Sequence, residues 1–214
     1  MDPREHIDKI EIELSTRCVI GCPACPRALQ DRNMQWDTGF MDIDVLKDVV
    51  ENTNYKSYIF CGAYGDAIYH PQIIDIIKYM LPQRNKKWFL ETNGSHKSPE
   101  FWDEVAQLEW RGRCGFIFSI DGLDDTNHIY RKRSDWDSIM YGVEKMLDKP
   151  RHQRPRMKWK YLVFPYNEHQ VADAKALSDK LGFDEFVAVK SLRKYKDWYF
   201  ENDQERRNID WNFT

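Results

Sequence analysis

Three of the five cysteines fall within eight residues, Cys18-Val19-Ile20-Gly21-Cys22-Pro23-Ala24-Cys25, in the spacing C-x3-C-x2-C. A helix or strand scatters such side chains, whereas a loop folds them around one point. Thiolates at this spacing bind a soft metal centre, and three on one short loop point to an iron–sulfur cluster. A [4Fe–4S] cluster usually takes four cysteines, and no fourth lies nearby. One iron is then left open, which suits chemistry better than passive electron transfer. A structural zinc is the competing reading. It needs a fourth Cys or His, which Cys61 or Cys114 supplies only by folding back.

The chain of 214 residues, 42% hydrophobic, is long enough for one sizeable core and one main domain. Its apolar runs fall far short of a membrane span. Met1 to His6 is charged and holds no secretory apolar stretch, so a cytoplasmic protein is expected. An odd number of clustered cysteines fits metal ligation in a reducing compartment better than a disulfide framework. The net charge of −3 gives no general attraction to nucleic acid or anionic membrane.

From Lys9 to Leu14 charged and apolar residues alternate, which predicts a first strand leading into the cysteine loop. Asp42 caps a helix with Ile43, Leu46, Val49 and Val50 on one stripe. Strands are predicted at Ser57–Cys61, Lys87–Glu91, Gly115–Ile120, Met157–Phe164 and Phe186–Val189. Between them lie helices from Pro71, from Pro99 behind a Ser98 cap, over Asp135–Leu147, and over Asn167–Leu181 with Gly182 as the stop. Six strands alternating with five helices imply an α/β fold of parallel strands with right-handed crossovers, as an open sheet or a barrel. Ligands gather at the carboxyl ends of such strands. The cysteine loop, Gly62–Asp66, Thr92–Gly94 and Asp121–Gly122 all fall there.

These residues resemble those of the radical S-adenosylmethionine (radical SAM) enzymes. C-x3-C-x2-C after the first strand is that family's signature. Pro23, Pro26, Arg27 and Gly39-Phe40-Met41-Asp42 are similar to its CxxxCPxCP branch, whose members often carry a further auxiliary-cluster (SPASM) domain. Gly65-Asp66-Ala67 stands where the family has Gly-Glu-Pro, and His70-Pro71 follows. Thr92-Asn93-Gly94, Ser119-Ile120-Asp121-Gly122 and His128-Ile129-Tyr130-Arg131 match further family motifs in order. Two departures stand out: Ala24, where many members place an aromatic against the adenine, and Asp66 in place of Glu.

The resemblance implies a partial (β/α)6 TIM-like barrel over residues 1–190. The aromatic-rich stretch over 191–214 follows the sixth strand, so it is expected to pack on the barrel, at its open side or mouth. It implies a [4Fe–4S] cluster on Cys18, Cys22 and Cys25, with S-adenosylmethionine on the open iron. Cofactor contacts are expected from Ala24, Gly65, Asp66, Ala67, Thr92, Asn93, Ser119, Asp121, Arg131 and Val189. The activity implied is reductive cleavage to a 5′-deoxyadenosyl radical that abstracts hydrogen. Its partners are an external flavodoxin- or ferredoxin-like one-electron donor and a peptide or small-molecule substrate.

Each motif also has an ordinary structural reading. Asp66 can cap a turn, Asn93 and Asp121 can close turns, and Arg131, or Arg133 in its place, can be solvated. Asn167 reads as a helix cap, and Val187–Val189 as a buried core strand. The basic run Lys149–Lys160 reads as a solvated loop on the far face, away from nucleic acid. A non-catalytic iron–sulfur electron carrier or sensor is the alternative function.

Overall fold

The computed structural model describes residues 8–27, 39–110 and 114–191. The extension expected over 191–214 lies outside the described residues except for Ser191. Six strands form one sheet: β1 (Lys9–Glu13), β2 (Ser57–Cys61), β3 (Lys87–Thr92), β4 (Cys114–Ser119), β5 (Arg156–Val163) and β6 (Glu185–Lys190). They lie in sequence order, every neighbouring pair is parallel, and β1 and β6 are the edges. The sheet is therefore an open, six-stranded portion of a (β/α) barrel, as expected.

Parallel neighbours need a crossover each, and crossovers of one hand in one direction place every helix on the same face. The helices are α1 (Ile43–Asn52), α2 (Ile73–Met80), α3 (Pro99–Gln107), α4 (Asp124–Tyr130), α5 (Trp136–Leu147) and α6 (Val171–Leu181). Their apolar stripes, Leu46 and Val50, Ile73 and Ile77, Trp102 and Val105, Ile139 and Val143, meet the alternate strand residues Ile12, Tyr58, Phe60, Trp88, Leu90, Phe116, Phe118, Trp159 and Tyr161 in one core. Each fully buried side chain of this size contributes about 1.5–3 kcal/mol. The other face of the sheet carries Glu13, Cys61, Glu91, Ser119, Lys160, Val187 and Val189 by the period-two rule, and it is the open side.

Local signals hold most of the boundaries. The Asp42 carboxylate accepts from Asp44 N at 2.8 Å, Ser98 caps α3 from just before Pro99, and Asp135 accepts from Ser138 N at 3.1 Å. Gly182 ends α6 at φ 90°, a left-handed conformation that glycine adopts without a Cβ clash.

Two segments differ from expectation. A helix, α4, follows β4 where no helix was predicted. It is only seven residues long and buries Thr126, Asn127 and Tyr130, so it shows no apolar periodicity. It is held instead by polar contacts: Leu123 N donates to Thr126 Oγ1 at 3.1 Å, and Thr126 and Gln170 bond side chain to side chain. The second difference is Asn167, which caps no helix through its side chain. Its amide joins two strand ends, donating to Asp121 O at 2.7 Å and Leu162 O at 3.0 Å while accepting from Phe164 N at 2.7 Å.

Candidate active site

The cysteine loop leaves β1 through buried Leu14 and is pinned on three sides. Ser15 bridges to Phe40, and Thr16 N and Oγ1 engage Gly39. Gly21 N donates to Lys132 O at 2.8 Å, and Arg27 donates to Ile20 O at 2.7 Å. Below the loop, Ile20, Cys22 and Ala24 rest on Tyr130 and Phe164, whose rings lie 4.5 Å apart. Ala24 is thus part of the loop's apolar support and does not line the cavity above. Cys18, Cys22 and Cys25 form no disulfide, and all three line one cavity of about 300 Å³.

The second wall is the turn after β2. Glu13, at the end of β1, reaches across with its carboxylate and accepts from Ala63 N (2.9 Å), Tyr64 N (3.2 Å) and Gly65 N (3.0 Å). Burial nonetheless raises its pKa against the pull of those three N–H groups. The sequence reading missed this residue, because an acid in an alternating strand looks like an ordinary solvent-facing position. Glu13→Ala leaves three turn amides to find water instead. The variant is expected to lose about 1–2 kcal/mol of stability, read as a lower urea midpoint with an unchanged m-value.

Asp66 is 3% exposed, with both carboxylate oxygens committed. Oδ1 accepts from Ile68 N at 3.2 Å and so caps the short 3-10 turn Ala67–Tyr69. Oδ2 accepts from Thr92 Oγ1 at 3.0 Å, from Asn93 N at 2.7 Å and from the Asn93 side-chain amide. One carboxylate thus ties the ends of β2 and β3 together. The same Asn93 amide lies 3.6 Å from Cys18 Sγ. Gly65, Asp66, Thr92 and Asn93 line the cavity with the cysteines, while Ala67 is buried beneath it.

Burial pushes the Asp66 carboxyl up to about 6, against the hydrogen bonds from Asn93 and Thr92. A folded-state value above the unfolded one means that the folded protein holds the proton longer. Stability at this site is therefore greatest below about pH 4 and declines as pH rises to about 6. Urea melts across that range should show the wild type's margin over Asp66→Asn shrinking with pH, then levelling off. Burial, with Asp66 next in importance, also pushes the Cys18 thiol up to about 12. A metal must displace that proton, so loading the site releases protons.

The third wall comes from β4, β5 and the segment after α4. Arg131 is 8% exposed, and its Nε lies 2.8 Å from Asp121 Oδ2 as a charge pair rather than an aligned hydrogen bond. Asp121 is fully buried and also accepts from Leu162 N at 2.8 Å. Asp121 therefore positions Arg131, and only Arg131 lines the cavity, beside Ser119. Arg133, the alternative, packs its guanidinium over Gly21 of the cysteine loop. Val187 and Val189 are 37% and 44% exposed on the open face, not core residues. Val189 lines the cavity, with Lys190 and Ser191.

Lys160 corrects the reading of the basic run. The run is a loop only as far as Pro155; from Arg156 it is β5, and period two turns Lys158 and Lys160 to the open face. Lys160 and Glu91 both line the cavity. The alternation Arg-Met-Lys-Trp-Lys-Tyr was the signal that placed them.

The donor set fits a cluster. Three cysteines outside any disulfide share one wall, an amide N–H lies against one sulfur, and the Arg27 Nε on the same wall is buried without a hydrogen-bond partner. Among the described residues, no three His, Cys, Asp or Glu side chains close on a single-ion position. A four-iron cluster spaces its thiolates wider than one ion does.

An open barrel portion of parallel strands with a three-cysteine loop at its carboxyl end, facing a cavity that several charged side chains line, fits a class of iron–sulfur enzymes. The chain belongs to the radical SAM superfamily, whose sequence profile matches residues 12–177. That family uses a [4Fe–4S] cluster and S-adenosylmethionine. Comparison with curated protein sequences gives no match. Among solved structures, SuiB of Streptococcus suis bound to S-adenosylmethionine is similar at 12% identity and a TM-score of 0.69, over 91% of this chain and 43% of SuiB. SuiB bound to its precursor peptide SuiA matches at 13% identity and 0.67, over 86% of this chain and 39% of SuiB. The enzyme anSMEcpe with bound AdoMet and the Cp18Cys peptide matches at 15% and 0.62, over 89% of this chain and 54% of that one. The chain thus spans about two-fifths to one-half of these relatives. No helix among the described residues is long and apolar enough to cross a membrane.

Proposed function

We propose that this protein cleaves S-adenosylmethionine reductively and directs the resulting radical at an organic substrate. The observation that carries this is the convergence of Cys18, Cys22 and Cys25 with Gly65, Asp66, Thr92, Asn93, Ser119 and Arg131 on one cavity at the strand ends. When bound, the cluster and S-adenosylmethionine would supply one-electron reductive cleavage of the sulfonium and, from it, the capacity to take hydrogen from a substrate carbon.

The chain's own residues bind and orient. Cys18, Cys22 and Cys25 would hold the cluster. The turn at Gly65–Ala67, held by Glu13, offers backbone carbonyls to the methionine ammonium, and Asp66 holds Thr92 and Asn93 in line with it. Arg131 faces the methionine carboxylate, with its own charge braced by Asp121. Ser119 serves the ribose. Val189 offers an apolar edge to the adenine, while Ala24 keeps the loop floor thin.

The electron comes from an external flavodoxin- or ferredoxin-like donor. The substrate is a peptide or a small molecule; the peptide-bound SuiB and anSMEcpe structures support the former. A reducing, cytoplasmic setting keeps the thiols available.

The test is spectroscopic. The reduced, anaerobically reconstituted protein should show an electron paramagnetic resonance spectrum that changes when S-adenosylmethionine is added. An unchanged spectrum at saturating cofactor would contradict binding at the open iron.

A further inference from the structure

The cavity holds one charged pair that the cofactor machinery does not use. Glu91 on β3 sends its side chain over β4 to β5. There Oε1 accepts from Lys160 Nζ at 2.7 Å and from Ser119 Oγ at 3.1 Å. The two donors fix the plane of the carboxylate. Its Oε2 receives no hydrogen bond from the described residues. An ammonium carries three N–H donors, and Glu91 takes one of those of Lys160, leaving two with no acceptor among the described residues. The pair therefore presents two donors beside one acceptor.

The pair stands on the sheet's open face, where its side chains are 39% and 22% exposed. A surface pair of long side chains contributes little to stability and is a weak reason for charges here. Of the cations lining the cavity, Arg131 is paired with Asp121 and Lys190 lies 3.7 Å from Glu168, whereas Lys160 has Glu91 as its ion-pair partner among the described residues. Lys160 is thus a cavity cation with N–H groups left for an incoming acceptor.

Two donors beside one acceptor match a carboxylate with an N–H or O–H group on the neighbouring atom. A carboxylate takes both lysine N–H groups, and the neighbouring donor meets Glu91 Oε2. Charge-assisted hydrogen bonds of this kind are about twice as strong as neutral ones.

We infer that Glu91 and Lys160 anchor the substrate of the proposed radical reaction, and that this substrate carries an α-carboxylate beside an N–H donor. A free α-amino acid and the C-terminal residue of a peptide both have that chemistry. This inference rests on the function proposed above. It assigns Lys160 and Glu91 to direct substrate contact, with Ser119 orienting Glu91.

The test is saturation-transfer NMR on the reconstituted protein with S-adenosylmethionine bound. One probe set is the free amino acids and their primary amides; the other is short peptides with free or amidated C-termini. Carboxylate probes should give transfer at least fivefold stronger than their amides, in one set or the other, and the set that responds names the source. Lys160→Met should remove that preference. Lys158→Met should retain it, since Lys158 lies outside the cavity and pairs with Glu185. Equal transfer from acids and amides, no transfer from any carboxylate probe, or a Lys160→Met protein that keeps the preference would each overturn the assignment. The acid–amide comparison needs no variant, so it stands even if Lys160→Met folds poorly. Failure of the radical reading shows separately, as an unchanged resonance spectrum of the wild type on adding cofactor.

Discussion

Cys22→Ser is expected to fold, to hold no stable cluster and to form no 5′-deoxyadenosine above background. Serine keeps the size but not the soft thiolate donor. Three ligands leave no redundancy, so the loss should be complete rather than graded. A stability cost comes with it, because Cys22 is 7% exposed over Tyr130 and Phe164. A hydroxyl in that apolar support costs about 1–3 kcal/mol. Cys114→Ser is the control. Cys114 is as buried, at 4%, but sits at the opposite end of β4. It should lose similar stability, by thermal melt, while keeping full iron content and cofactor cleavage. If Cys22→Ser matches it in both respects, the three-cysteine centre is wrong.

Gly65→Ala should be the most damaging single methyl group in the site. A Cβ there would lie 1.9 Å from Ser15 O and 2.7 Å from the Thr16 carbonyl carbon. Both are backbone atoms at the root of the cysteine loop, so no side chain can swing away. Inserting a methylene into packed structure costs about 1–3 kcal/mol, occasionally more. Here the shift would also displace two things at once. Gly65 N would leave Glu13, and Asp66 N would leave Arg17 O, now 2.8 Å away. The expected result is a lower urea midpoint by at least that amount, together with weakened iron retention. Gly39→Ala makes the contrast, since nothing lies within 4 Å of its added methyl.

The strand order was legible because each signal was local. The Lys9–Leu14 alternation, the Ser98-Pro99 start and the Gly182 stop each act over a few residues. The cysteine loop was legible for the same reason. What escaped was written in polar contacts between distant segments. The helix α4 buries Thr126 and Asn127, residues that a hydrophobic pattern ignores. Glu13 contacts residues fifty positions away, and Asn167 joins two strand ends instead of capping the next helix.

Asp66 shows how a motif can be visible while its contacts are not. Its place at the second strand end could be read from Gly65 and His70-Pro71. That one carboxylate would cap a turn and also hold Thr92 and Asn93 could not. Lys160 fell inside the strand predicted from Met157 but was also counted in the basic run read as a loop on the far face, so its place in the cavity was missed. Val187 to Val189 read equally well as a cofactor edge or as core; on an open-faced sheet the alternate apolar residues face outward, and Val189 lines the cavity.

The most direct measurement is product formation by the wild-type protein. With the cluster reconstituted anaerobically on Cys18, Cys22 and Cys25, a one-electron reductant and S-adenosylmethionine should yield 5′-deoxyadenosine and methionine in equal amounts. A protein that holds the cluster on those three cysteines, accepts the electron and leaves S-adenosylmethionine intact would contradict the account.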